Sequence, residues 1–167
     1  MLKDFKEQQR ELEKTIEFKK FHENNKTYYL AHGFAQLNKD FEPTKNWQIG
    51  YYSKEKDHLA IFDINNLQEP SFEEAFKDGG IIEELKIEDE QISLEEALDL
   101  AKKKLFDDYK GEIVNTVLVI VQAIEGEPTF NFTFVTQNFS MITIHVNART
   151  KTITKEIKNS VLDLKKN

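Results

Sequence analysis

At 167 residues the chain has room for one domain or two small ones around a real core. A net charge of −7 argues against a nucleic-acid backbone as main partner, since such binding rests on clustered Lys and Arg, and the lack of cysteine excludes disulfides and thiolate metal sites. With 32% charged residues alongside 13 Phe, 5 Tyr and 1 Trp, the chain reads as folded and well solvated.

The start, Met1-Leu2-Lys3-Asp4-Phe5-Lys6, lacks the apolar run of a signal peptide, and no stretch approaches membrane-spanning length. As written, the chain is expected to be soluble and cytoplasmic; removal of a leader or anchor would make it extracytoplasmic. Residues from Lys3 to about Asn24 predict a helix, with Leu2, Phe5, Leu12 and Ile16 on one stripe. Phe18 and Phe21 leave that stripe, so the last turns must contact something else. Strand-like runs follow at Thr27–Leu37, Trp47–Ser53 and His58–Ile64, rich in Tyr, Phe, Ile and Trp.

The middle of the chain, residues 67–91, reads as an acidic connector with a short helix. Ser71 and Glu74 form a capping-box pattern and Asp78-Gly79-Gly80 a stop. Glu83, Glu84, Glu88, Asp89 and Glu90 lack the alternating ligands and turn glycine of a calcium loop, which leaves a solvated linker as the expectation. Ser93-Leu94-Glu95-Glu96 is a second capping box. Beyond it Leu94, Ala97, Leu98, Ala101, Leu105 and Tyr109 share one helical face, and Gly111 ends the helix. Strands are predicted at Ile113–Ile124, Thr129–Thr136, Ser140–Asn147 and Thr152–Ile157. The alternation of Phe130, Phe132 and Phe134 with polar neighbours implies an antiparallel sheet with one wet face.

The two halves echo each other. Ala35-Gln36-Leu37, Glu42-Pro43-Thr44 and Asn46-Trp47-Gln48-Ile49 parallel Val121-Gln122-Ala123, Glu127-Pro128-Thr129 and Asn131-Phe132-Thr133-Phe134. A duplicated α-β-β-β unit is the reading, giving an α+β fold of two tandem units: 1–66, the connector 67–91, and 92–167.

Residues 92–157 resemble a PepSY domain. The resemblance lies in Ile92-Ser93-Leu94-Glu95-Glu96-Ala97 with Ala101, the strand Val117–Gln122, Gly126, and the strand Phe130–Val135. It continues through Ile144-His145-Val146-Asn147-Ala148-Arg149-Thr150-Lys151-Thr152-Ile153. There the family's Asp-Ala-x-Thr-Gly turn has Asn147 for Asp and Lys151 for Gly, and residues 1–64 carry a weaker echo. The resemblance implies a helix cradled by a curved antiparallel sheet, PepSY- or cystatin-like, sometimes tandem and usually outside the cytoplasm. It brings no catalytic residues, and it suggests a peptidase or an unfolded segment as partner.

No motif points to chemistry. His22, His32, His58 and His145 lack metal-ligand spacing, although His32 and His58 are placed on strands that bring them near each other. No nucleophile elbow or phosphate-cradling glycine loop is present, and neither a cofactor nor a metal is expected. Lys102, Lys103 and Lys104, and Lys155, Lys158, Lys165 and Lys166, are expected to be solvated surface. Tyr28, Trp47, Tyr51 and Tyr52 place aromatics on both faces of the first sheet, either as a partner-binding surface or buried where the two units stack. The expected function is therefore a non-enzymatic binding or protein-interaction module, with protein or peptide as partner through an aromatic face or an open sheet edge. The alternatives are a small-ligand carrier with a pocket between helix and sheet, and a structural dimer.

Overall fold

The computed structural model describes residues 2–75 and 80–160. Within them, three helices cover one face of an eight-stranded antiparallel sheet, an α+β architecture. Helices α1 (Phe5–Glu13) and α2 (Ile16–Asn24) lead into a meander of β1 (Tyr29–Asn38), β2 (Pro43–Ser53), β3 (His58–Asp63) and β4 (Ser71–Glu74). Helix α3 (Leu94–Asp108) leads into β5 (Val114–Ile124), β6 (Glu127–Thr136), β7 (Ser140–Asn147) and β8 (Ile153–Ser160).

The strand order is β4-β3-β2-β1-β5-β6-β7-β8. The two meanders thus join edge to edge through β1 and β5, with Phe34 opposite Ile120, instead of stacking face to face. One hydrophobic core runs beneath the helices along the whole sheet. The period of two explains it: Val117, Val119, Phe132, Phe134, Ile142 and Ile144 all point inward and are fully buried.

The predicted first helix is two helices. Thr15 lies in an extended conformation and caps α2 by accepting the Phe18 N–H, while its own hydroxyl donates to the Leu12 carbonyl at 2.7 Å. That turn re-aims the chain so that Phe18 and Phe21 reach Phe62 of β3, and it leaves Ile16, expected on the buried stripe, 68% exposed. Where Phe5 lies on the sheet, β1 carries Gly33, and a Cβ there would stand 2.2 Å from the Phe5 ring. The glycine is what lets α1 approach the strand.

The capping box at Ser93 forms as predicted on its first limb, with Ser93 Oγ accepting the Glu96 N–H at 3.1 Å. A second cap comes from far away in sequence. The Asp4 carboxylate accepts the Leu94 N–H at 2.9 Å, so the residue preceding α1 also satisfies the start of α3.

Two expectations for the connector are overturned. Ser71 does not cap a helix: Ser71–Glu74 is edge strand β4, with Phe72 opposite Ala60 and its ring against Phe21 and Tyr28. A lone helical turn fixes several dihedrals for one hydrogen bond, whereas this segment gains a ready ladder and an aromatic neighbour. The expected stop at Asp78-Gly79 lies outside the described residues, as do Lys165 and Lys166.

Nor is the acidic stretch a solvated linker. Residues 80–92 form a strap without regular structure that is tied along its length. Leu85 is 2% exposed, and its N–H donates to the Leu30 carbonyl at 2.8 Å. Ile92 donates to the Ala148 carbonyl at 2.9 Å. The Glu83 carboxylate accepts the N–H groups of Glu125 and Gly126 at 2.9 and 2.8 Å, gripping the β5–β6 turn.

The β7–β8 turn is held by Asn147. Asn147 Oδ1 accepts the N–H groups of Arg149 and Thr150 at 2.8 and 3.0 Å, the work of an aspartate in the resembled pattern. Lys151 stands where that pattern has glycine and adopts φ 62°, in the left-handed region. Replacing Lys151 with Gly relieves a conformation that costs an L-residue about 1 kcal/mol, so Lys151→Gly is expected to raise the thermal midpoint by several degrees. Scanning calorimetry of the two proteins measures it.

Candidate functional site

A cleft of about 960 Å³ lies on the helical side of the first meander. One wall is α1 and α2, the other is strap residues Glu84 to Ile87, and Leu30 and Tyr51 lie at its floor. The break at Thr15 shapes it, because α2 swings Phe18 down to a ring distance of 5.0 Å from Tyr51 and stacks His22 on Phe18 at 5.8 Å. Tyr28 closes the wall against Phe21 at 5.2 Å.

A polar cluster sits on this aromatic wall. Gln9 Nε2 donates to Glu13 Oε1 at 2.7 Å and to the Tyr51 hydroxyl at 3.4 Å, and that hydroxyl donates to the same carboxylate at 3.3 Å. Burial, and then the charge of Glu13, push the Tyr51 phenol above its usual range. It therefore remains a neutral hydrogen-bond donor at physiological pH. The rim carries Arg10, Lys19 and Lys86 beside Glu23 and Glu84, so neither sign dominates. Arg10 is tied to Asp89 of the strap.

The four aromatics proposed as a partner surface are not an exposed surface. Trp47 is 0% exposed, Tyr52 2%, Tyr51 3% and Tyr28 6%. They are covered by the protein's own helices and strap, not by a second sheet stacked on the first. Trp47 packs edge-on to Phe5 at 5.0 Å and donates Nε1–H to the Lys3 carbonyl at 2.7 Å. Tyr52 points to the opposite face, edge-on to Tyr29, whose hydroxyl donates to the Ile82 carbonyl. Of the four, Tyr28 and Tyr51 line the cleft.

Gln9, Glu13, Phe18 and His22 complete the site, and none was named as a site residue from the sequence. The departure of Phe18 and Phe21 from the first helical stripe was the available signal.

Histidines do not cluster. His32 of β1 and His58 of β3 are separated by β2; His32 pairs with Gly50 and His58 with Ser53. Among the described residues, no three His, Asp or Glu side chains are placed to hold a metal ion. The His32 ring lies over Gly50, and burial holds its pKa below the usual value. His145 is lowered by burial and then by Lys155. Both are thus favoured neutral in the fold. The unfolded chain binds more protons below about pH 6.5, so their stabilisation is complete above that value and is lost as pH falls through it. Urea midpoints are expected to drop from pH 7 to pH 5, and His32→Gln to flatten that drop.

Four lysines of the two basic strips are engaged locally. Lys103 pairs with Asp107, Lys104 with Asp108 and Glu156, and Lys158 with Glu112, while Lys102 lies over the Phe41 ring. No helix among the described residues is long and apolar enough to cross a membrane.

No protein-family model and no curated protein sequence matches the chain. Among solved structures, a candidate lipoprotein of Clostridium difficile 630 is similar, with 14% identity and a TM-score of 0.52. The match covers 84% of this chain and 89% of that one. At that identity the likeness concerns the fold.

Proposed function

We propose that this chain is a noncatalytic binding module of two PepSY-like halves, and that its cleft receives an extended peptide segment of another protein. The cleft's composition carries the reading. Phe18, Tyr28 and Tyr51 line the cleft beneath a rim that offers both charges, with His22 and Lys86 among the rim side chains. A cleft with an irregular segment of the chain, Glu84 to Ile87, as one wall suits a second stretch of chain better than a compact molecule.

The reading of two halves is supported by the order of elements, with helix preceding meander in each, and by Glu-Pro-Thr at the start of both β2 and β6. The Asn147 turn adds to it in the second half. The resemblance makes a peptidase or an unfolded segment the class of partner. Together with the description of the fold neighbour as a candidate lipoprotein, it favours work outside the cytoplasm. Pairing at the outer edge of β8 is the weaker route, because Lys155, Glu156 and Lys158 along that strand discourage strand addition.

Selection of random displayed peptides on the immobilised protein tests the proposal. Peptides that bind and lose about tenfold in affinity with Lys86→Glu or His22→Ala, both at the rim, place the site in the cleft. Peptides indifferent to both variants, or none at all, overturn it. A small molecule released on denaturation and detected by mass spectrometry would instead establish a carrier.

A further inference from the structure

The sheet face turned away from the helices has a side-chain distribution that solvation alone does not explain. Charged residues are 32% of the chain, yet the outward residues of β1, β5, β6 and β7 are uncharged apart from Glu127 at the start of β6. The register sorts this face into rows. One row has Asp63 of β3 at one end and Lys155 of β8 at the other, with Gln48, Phe34, Ile120, Asn131 and His145 between them. The adjacent row carries Gln36, Leu118, Thr133, Thr143 and Ile157, the last 40% exposed. An uncharged centre of apolar and amide side chains, with charge confined to the ends, is the anatomy of a protein interface.

We propose that this face pairs with a second copy of the chain, outer sheet against outer sheet, about a twofold axis running along β5. Charge complementarity selects this occupant and this axis. The rotation lays β3 of one copy over β8 of the other, so Asp63 meets the second copy's Lys155 at both ends of the row. It lays β1 over β6 and β2 over β7, which brings Phe34 to Asn131 and Gln48 to His145, while Ile120 packs on its own equivalent. Such a contact is isologous and closes on itself.

The area suffices. Seven strands about 4.8 Å apart, each contributing about 20 Å of length, present roughly 700 Å² per copy, close to the roughly 800 Å² of a standard interface. Aligned sheets packed about 10 Å apart bring these side chains into contact. For two molecules of net charge −7, an uncharged face is also where approach costs least. The strap's Gly80–Glu83 stretch lines one hollow with His32, Ile120 and Gln122 at one end of the face, and none of Gln36, Leu118, Thr133 and Thr143 in the neighbouring row borders that hollow.

Sedimentation equilibrium over a micromolar to submillimolar series, at physiological salt, decides the matter. The wild type is expected at twice the chain mass, and Ile120→Lys, which sets two ammonium groups against each other at the axis, weakens the dimer at least about 100-fold. Thr133→Lys, at an outward polar position that leaves the core intact, serves if Ile120→Lys fails to fold by circular dichroism. Asp63→Lys and Lys155→Asp each weaken association about fivefold, and combining them restores it. A wild type monomeric at every concentration overturns the proposal, as does a dimer indifferent to Thr133→Lys. A double reversal no better than the single ones overturns the axis and hence the pairing as stated.

Discussion

Trp47→Ala is expected to cost about 3–5 kcal/mol of stability, enough to unfold a large share of molecules in a domain of ordinary stability. The side chain is fully buried, its ring meets Phe5 edge-on, and its indole N–H donates to the Lys3 carbonyl. Truncation therefore creates a cavity and takes the indole donor from the Lys3 carbonyl at once. It also removes the ring against which Phe5 of α1 rests above Gly33. Urea titration followed by circular dichroism measures the loss. A cost below about 1 kcal/mol would show that the α1–β2 contact is dispensable. A partner lost from such a variant would report unfolding and not a contact at Trp47, which makes rim residues the proper probes of binding.

Leu85→Ala comes second, at about 2–4 kcal/mol. Leu85 is the buried anchor of the strap, and its N–H is bonded to Leu30 at 2.8 Å. Losing the side chain frees one wall of the cleft and loosens the path between the two meanders. The backbone hydrogen bond at Leu85 should then exchange much faster with solvent, while amides of the β1–β5 ladder keep most of their protection. Hydrogen exchange read by NMR distinguishes this local release from global weakening. Equal acceleration at Leu85 and at Val119 would mean that the strap and the sheet open together.

Most of the architecture was legible because two simple periods carry it. The strands from Phe130 to Val146 alternate cleanly, and the Ser93 cap starts α3 where the polar pattern says it should. What escaped was decided by neighbours distant in sequence. Ser71 carried a helix-start pattern, but an unpaired β3 edge and the Phe21 and Tyr28 rings drew Phe72 into a strand. The acids around Leu85 hid an anchor whose burial depends on β1, some fifty residues earlier in the chain.

The cleft was less legible than the fold. Tyr28 and Tyr51 were singled out for their chemistry, yet nothing local says that α1–α2 covers one face of their sheet or that the strap faces it. Phe18 and Phe21, off the first helical stripe, pointed toward the site without locating it. Trp47 illustrates the opposite error: a large amphipathic ring drew attention as a binding residue, but its N–H is satisfied inside the core.

The seam between β1 and β5 has a kinetic consequence. Each meander is built from hairpins whose strands follow one another in the chain, so their contacts form after short loop closures. The seam joins residues 29–38 to residues 114–124 and must wait for a long closure, although it sits at the middle of the sheet. Refolding should therefore be limited by docking of two preformed meanders. Until they dock, each presents an unpaired β1 or β5 edge made of Phe34, Ala35 and Leu37 or of Val117, Val119 and Val121. That interval is when the chain is most exposed to pairing with the wrong copy of itself, and rapid dilution from denaturant should favour the native sheet over strand-exchanged aggregates.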